Sequence, residues 1–219
     1  NIIGGLERKL LVAVVICSMF MNSGNYGMPL VNFAFGETAL AYAVPFFVSI
    51  SILSNTIGVF VASMGSLNVR QALMGILRMP VIYAVMAALI VKSQGYEMLV
   101  PLERSIQMLG NAAIPSMLVL LGLQLQAVHL AGQTRALALV TGLRLVGGPL
   151  LALLLSPIFG LQGFAFQAGV LESAMPAAVL NTVLATEFDV EPTFVSSAVF
   201  ISTLLSPFTV TPILFWLGA

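Results

Sequence analysis

The chain has 219 residues, 59% of them hydrophobic, and a mean hydropathy of +1.07. Asp, Glu, Lys and Arg make up 7%, eight basic against eight acidic, where a soluble domain carries about 25%. So few charges cannot cover a water-facing surface and leave no basic footprint for nucleic acid, so a soluble globular domain and a nucleic-acid partner are excluded and an all-α polytopic membrane protein is expected.

A spanning helix needs about 20 mostly apolar residues. Seven stretches qualify: Leu10–Ala34, Ala39–Met64, Gln71–Val91, Pro101–Val128, Thr134–Leu155, Leu161–Thr182 and Thr193–Gly218. None shows the period-two alternation of a barrel strand, and helices satisfy their own backbone in lipid.

The first span is interrupted by Met21-Asn22-Ser23-Gly24-Asn25-Tyr26-Gly27-Met28-Pro29-Leu30. Pro29 lacks an N–H, and Gly24 and Gly27 lower the cost of leaving helical geometry. A break near Pro29 would expose backbone groups that survive in hydrocarbon only where they line a protected cavity. A freed helix N-terminus there suits an anion, with Asn22 and Asn25 as neutral polar contacts. A proline kink that only shapes packing is the plainer reading.

The third span carries Arg78, whose long side chain is expected to snorkel. In the fourth, Gly110-Asn111-Ala112-Ala113-Ile114-Pro115 forms a further polar interruption, followed by Gly122, Gln124 and Gln126; it serves either close helix packing or a pore lining, with Asn111 the functional candidate. The fifth holds Arg144 beside Gly147-Gly148-Pro149, and the sixth holds Glu172-Ser173-Ala174-Met175-Pro176, with a second break expected at Pro176. Charge at membrane depth faces protein or water by default. Glu172 and Arg144 are thus candidates for ion coupling or for a structural ion pair with one another.

Spans one and six echo each other. Each has a mid-span Met-Pro, Met28-Pro29 and Met175-Pro176, then an acidic residue in the next loop, Glu37 and Glu187, then a serine-bearing span. The first and sixth of seven spans cross the bilayer in opposite senses, so the repeat is inverted, as in many transporters. Arg8, Lys9, Arg70 and Arg135 fall on one side and Lys92 and Arg104 on the other, which places the first set in the cytoplasm and the C-terminus outside.

Cys17 and His129 are single, so no internal disulfide can form. The sequence has no metal-ligand spacing, phosphate-binding glycine motif or nucleophile elbow. No catalytic residue, metal or cofactor is therefore expected, and an enzyme is not.

The blocks "SGNYGMP" and "LGNAAIPSMLVLLGLQL", with the second broken span, resemble the auxin efflux carrier family across essentially the whole chain. That family includes plant PIN-type auxin carriers and bacterial malate or malonate permeases. The resemblance implies ten helices in two inverted five-helix repeats, the fourth helix of each broken at a proline and the two breaks crossing at the centre. It also implies elevator-like movement of a transport bundle against a scaffold. The seven spans then correspond to helices four to ten, with residues 1–64 the end of an incomplete first repeat and 65–219 the second repeat. Three helices would precede Asn1.

The function expected is secondary transport, by efflux or exchange, of a small organic anion, either a dicarboxylate or an aromatic acid. Asn22, Asn25, Asn111 and Ser173 are the expected substrate contacts. Gly24, Gly27, Pro29 and Pro176 form the helix crossover, and Glu172 and Arg144 couple an ion. Protons, the lipid bilayer of the cell's inner (plasma) membrane and a second copy in a homodimer complete the expected partners. One alternative is a sodium-coupled organic anion symporter of the bile-acid type, which a cluster of oxygens near Glu172 would favour. The other is a non-transporting receptor or structural bundle, which has no need of two matched discontinuities.

Overall fold

The computed structural model describes residues 7–63, 77, 80–95, 98–124 and 131–219, and every described element longer than an isolated bridge is helical. The expected span end at Met64, the start of Gln71–Val91 with Arg70 and Arg78, and Gln126, Val128 and His129 lie outside the described residues. In chain order the helices are α1 (Arg8–Met19), α2 (Met28–Leu53), α3 (Val59–Ala62), α4 (Pro80–Gln94), α5 (Val100–Gln124), α6 (Thr134–Gly142), α7 (Gly148–Leu155), α8 (Gly163–Ser173), α9 (Leu180–Glu187) and α10 (Pro192–Leu217). Three wider π-helical turns are π1 (Ser23–Gly27), π2 (Ser54–Gly58) and π3 (Leu143–Gly147).

Four stretches among the described residues are long and apolar enough to cross a membrane: Ser23–Ala62, Val100–Leu123, Thr134–Leu155 and Pro192–Leu217. The first of these is two spans in sequence terms, because Gly36, at φ 77° and ψ −173°, breaks it between Phe35 and Glu37. Only glycine adopts that backbone freely, and it turns the chain at the predicted loop. The helices α1, α8 and α9 have 12, 11 and 8 residues. At about 1.5 Å rise per residue each reaches only part way through a bilayer. They are pieces of the two spans expected to be interrupted.

The positions of the interruptions correct one expectation and refine another. The first falls at Phe20–Asn22, where Phe20 is extended at φ −104° and ψ 115°, and not at Pro29. Pro29 lies inside the helix that follows, directly after π1. The physical reason is that a proline removes one backbone bond and crowds the turn before it, and a widened turn ahead of it absorbs both effects. Pro149 stands in the same relation to π3. The second interruption, 174–179, does contain Pro176. The polar block 110–115 leaves its helix unbroken, for α5 runs through Pro115 as one helix. Losing one bond is tolerable in a long helix, and the Ser116 hydroxyl donates to the Ala112 carbonyl at 2.7 Å one turn back.

Polarity is distributed inside out. Large apolar side chains such as Phe33, Leu154, Phe208 and Phe215 are exposed, while Asn22, Arg144, Glu172, Asn181, Ser202 and Ser206 are buried. A surface this apolar meets lipid, which identifies a multi-pass membrane protein. One packed cluster joins α1, α6 and α10 through Ile16, Val140 and Phe194, and another joins α2 and α8 through Val31, Leu171 and Met175. Lys9, at the start of α1, pairs with Asp189 in the loop before α10. Those two segments therefore share one end of the molecule.

The two interruptions meet in an antiparallel bridge between Met21 and Ala177. Residues so bridged have Cα atoms about 4.5–5.5 Å apart, within disulfide range. In a Cys17→Ala background, Met21→Cys with Ala177→Cys should therefore cross-link within one chain on mild oxidation. Thiol labelling followed by mass measurement reads the result, and two thiols that stay fully reactive would contradict the crossing.

Candidate functional site

The crossing begins as an accounting problem. Breaking two helices frees backbone donors and acceptors in an apolar body, and each must find a partner. The two non-helical segments supply several of them to each other. The Asn22 N–H donates to the Pro176 carbonyl at 2.8 Å, and the Ala178 N–H donates to the Phe20 carbonyl at 2.9 Å. The Phe20 carbonyl also accepts from Asn181 Nδ2 at 3.2 Å. The Ala177 N–H reaches the Ser202 hydroxyl of α10 at 3.2 Å. The neighbouring Ser206 and Tyr26 hydroxyls bond at 2.9 Å, tying α10 to π1.

Four helix ends surround this bridge, and they are of two kinds. The C-terminal ends of α1 and α8 present carbonyls, and Arg144 on π3 reaches both. Its Nη1 donates to the Ser18 carbonyl at 2.8 Å and to Met19 at 3.3 Å, and its Nη2 donates to the Ser173 carbonyl at 2.8 Å. Each C-terminus carries about half a negative charge. One buried guanidinium thus matches the sum of two. Gly148 makes the approach possible, since a Cβ there would run into the Ser173 carbonyl and the guanidinium.

The other two ends are the N-termini of π1 and α9, each carrying about half a positive charge. Beside them is a cavity of about 130 Å³ lined by Met21–Asn25, Phe47, Ile50, Ser51, Ser54 and Ala178–Leu180. No charged side chain lines it. Asn22 is buried, and its Nδ2 has no hydrogen-bond partner. Neutral donors and two helix N-termini thus border one open space, an arrangement whose electrostatics favour negative charge.

Glu172 is fully buried on α8, and apart from the Ser23 hydroxyl beside it neither carboxyl oxygen has a hydrogen-bond partner among the described residues. It lies where a Cβ on Gly27 would be, and it adjoins the Ser23 hydroxyl. Arg144 instead directs its Nη1 and Nη2 to the three carbonyls, and Asp189 is the carboxylate that pairs with Lys9.

The structure brings Asn22, Gly24 and Asn25 together at the cavity and places Gly27 behind them against Glu172. Ser173 and Asn111 lie elsewhere. Ser173 ends a helix, so its carbonyl goes to Arg144, and its hydroxyl donates to the Val170 carbonyl at 2.8 Å; it lines a separate, mostly apolar cavity between α2, α7 and α8. Asn111 is exposed on α5, the helix that packs against π1. Sequence reasoning missed Asn181, Ser202 and the Ser51–Ser54 pair. Asn181 is a polar residue one turn past an intramembrane break, a signal that pointed to the crossing.

Two interrupted helices crossing beside a cavity lined in part by Asn and Ser side chains, in a body with an apolar exterior, are the features of a membrane transporter. The chain belongs to the membrane transport protein family, which matches residues 3–215. It is 29% identical over 205 residues to an uncharacterized transporter of Methanothermobacter thermautotrophicus and 24% identical over 205 residues to one of Methanocaldococcus jannaschii. Each alignment covers 92% of this chain and 67% of the relative. Over 112 residues, 50% of this chain and 18% of the relative, it is 30% identical to auxin efflux carrier component 1 of Arabidopsis thaliana. The resemblance to the auxin efflux carrier family holds at that level, and the family is one of transporters, not enzymes.

Arg144 yields a direct test. Hydrogen bonds from a charged donor contribute about 1.5–3 kcal/mol each at most, so Arg144→Gln should lower unfolding free energy by about 2–4 kcal/mol. Arg144→Lys should fall between, because a single ammonium does not span both helix ends as a guanidinium fork does. Unfolding in mixed micelles measures this, and wild-type stability in the Gln variant would contradict the capping role.

Proposed function

We propose that the protein is a secondary transporter of a small organic anion and that the anion sits in the cavity beside the crossing, among Asn22, Ser23 and Asn25. The observation that carries this reading is the pair of helix N-termini beside a cavity whose polar lining is Asn22, Ser23, Asn25, Ser51 and Ser54, with no charged side chain. A cation there would meet two positive helix ends, whereas a carboxylate would meet N–H groups and amide donors. The arrangement matches discontinuous-helix transporters, in which half-helix N-termini hold anionic groups. The name of the plant relative points to an aromatic acid, and dicarboxylates have the same charged end.

In this reading, residues 1–64 and 65–219 are parts of two inverted repeats, each contributing one broken helix. Arg8, Lys9 and Arg135 face the cytoplasm and the membrane is the cell's inner one. The bundle bearing the crossing moves against the remaining helices, carrying the substrate by efflux or exchange.

A buried polar contact contributes about 1–3 kcal/mol, so losing one weakens binding roughly fivefold to a hundredfold. Asn22→Ala and Asn25→Ala should each show such a loss with the purified protein titrated with malonate, malate or indole-3-acetate. Asn55→Ala should not, since the Asn55 amide donates to the Ser51 carbonyl of its own helix at 2.9 Å. Equal affinities in all three variants would reject the assignment.

A further inference from the structure

We infer that the transported anion and one proton bind together, the proton on Glu172. The inference rests on the anion reading above and assigns its coupling ion. It follows from the position of the carboxyl group. Ser23 lines the anion cavity on one side, and the same residue adjoins the Glu172 carboxyl on the other. Gly27, one turn further along π1, is the surface on which that carboxyl rests. The substrate site and the carboxylate thus flank a single helical turn, the first turn after the break, and both draw on the same positive helix end.

The other surroundings give a Glu172 charge no help. Beyond the adjoining Ser23 hydroxyl, neither oxygen has a hydrogen-bond partner among the described residues. The elements packed against α8 are α2, α7, α10 and π1. Of these, α7 and α10 contain no charged or titratable residue, and α2 contributes Glu37 and Tyr42, both exposed. Tyr26 of π1 has its hydroxyl bonded to Ser206. On α8 itself Glu172 is the one titratable group, and Arg144 of π3 is engaged by the Ser18, Met19 and Ser173 carbonyls. The turn Ser23–Gly27 is therefore the positive group that the carboxylate directly adjoins. An anion arriving in the cavity claims that partner, and two negative groups then share about half a positive charge in a dry site. A proton taken from water onto a Glu172 oxygen removes the conflict, giving a neutral carboxylic acid and a bound anion. Release reverses both steps, so the movement of the anion is tied to that of a proton with no other reactant required.

The linkage is measurable without transport. Binding that consumes a proton weakens by up to about tenfold per pH unit above the range in which the site is protonated beforehand. Isothermal titration of the purified protein with malonate, malate or indole-3-acetate, repeated in two buffers of different ionisation enthalpy, counts the protons. About one proton per anion is expected for the native protein. Glu172→Gln, neutral and of the same shape, should take up none and bind with an affinity independent of pH. Should that variant not fold, the proton count on the native protein decides alone. Anion binding with no proton uptake, or binding that requires sodium in its place, overturns this inference while leaving the anion reading intact. A proton count unchanged in Glu172→Gln also overturns it. Failure of all three anions to bind overturns the transport reading and this inference with it.

Discussion

Everything near the centre of this molecule depends on the antiparallel pairing of two short non-helical segments, 20–22 and 174–179, in a body that meets lipid on its outside. An interrupted helix in hydrocarbon leaves several backbone groups without partners, at several kcal/mol each. Two interruptions placed back to back satisfy part of that demand mutually. The remainder is met by side chains whose positions make sense only in relation to the crossing: Asn181 on the Phe20 carbonyl, Ser202 on the Ala177 N–H and Arg144 on the carbonyl ends. Buried Asn181, Ser202 and Arg144 are thus supports of this one junction.

The supports are unequal, and the inequality gives the site its sign. Both C-terminal helix ends are neutralised by a single guanidinium. The N-terminal ends of π1 and α9 have no acidic group in the cavity beside them, and the nearest carboxylate, Glu172, sits behind π1 instead of in the cavity. In the proposed reading an anion is attracted by peptide dipoles and amides, not by a fixed charge, and such a site would hold its ligand without trapping it. Glycines set the distances: Gly27 admits the Glu172 carboxyl and Gly148 admits Arg144 beside Ser173, and a methyl group at either position would collide.

The sequence carried the broad architecture because its strongest signals are compositional and positional. Charge scarcity and span lengths give the membrane class, and Asn-, Gly- and Pro-rich blocks inside apolar runs mark the two interrupted helices. The finer placement was not legible for identifiable reasons. A proline marks the neighbourhood of a break but not its residue: the turn widened before Pro29 keeps that proline helical, while Pro115 is accommodated in an unbroken helix. Ser173 was assigned to the cavity by its chain position beside Pro176. Whether a residue at a break faces carbonyl ends or amide ends depends on which half-helix it terminates, and Ser173 terminates a C-terminal end. Arg144 and Glu172 were natural partners on charge alone. Three-dimensional packing gives the arginine to backbone carbonyls and leaves the glutamate against a glycine.

The central claim is that the crossing binds an organic anion at the N-terminal ends of its half-helices. Crystals grown with bromoacetate, examined at the bromine absorption edge, test it most directly. The account predicts an anomalous peak in the cavity bounded by Asn22, Ser23 and Leu180, with the carboxylate turned to the amides of π1 and α9. A peak confined to the apolar cavity between α2, α7 and α8, or none at the crossing under saturating bromoacetate, would contradict it.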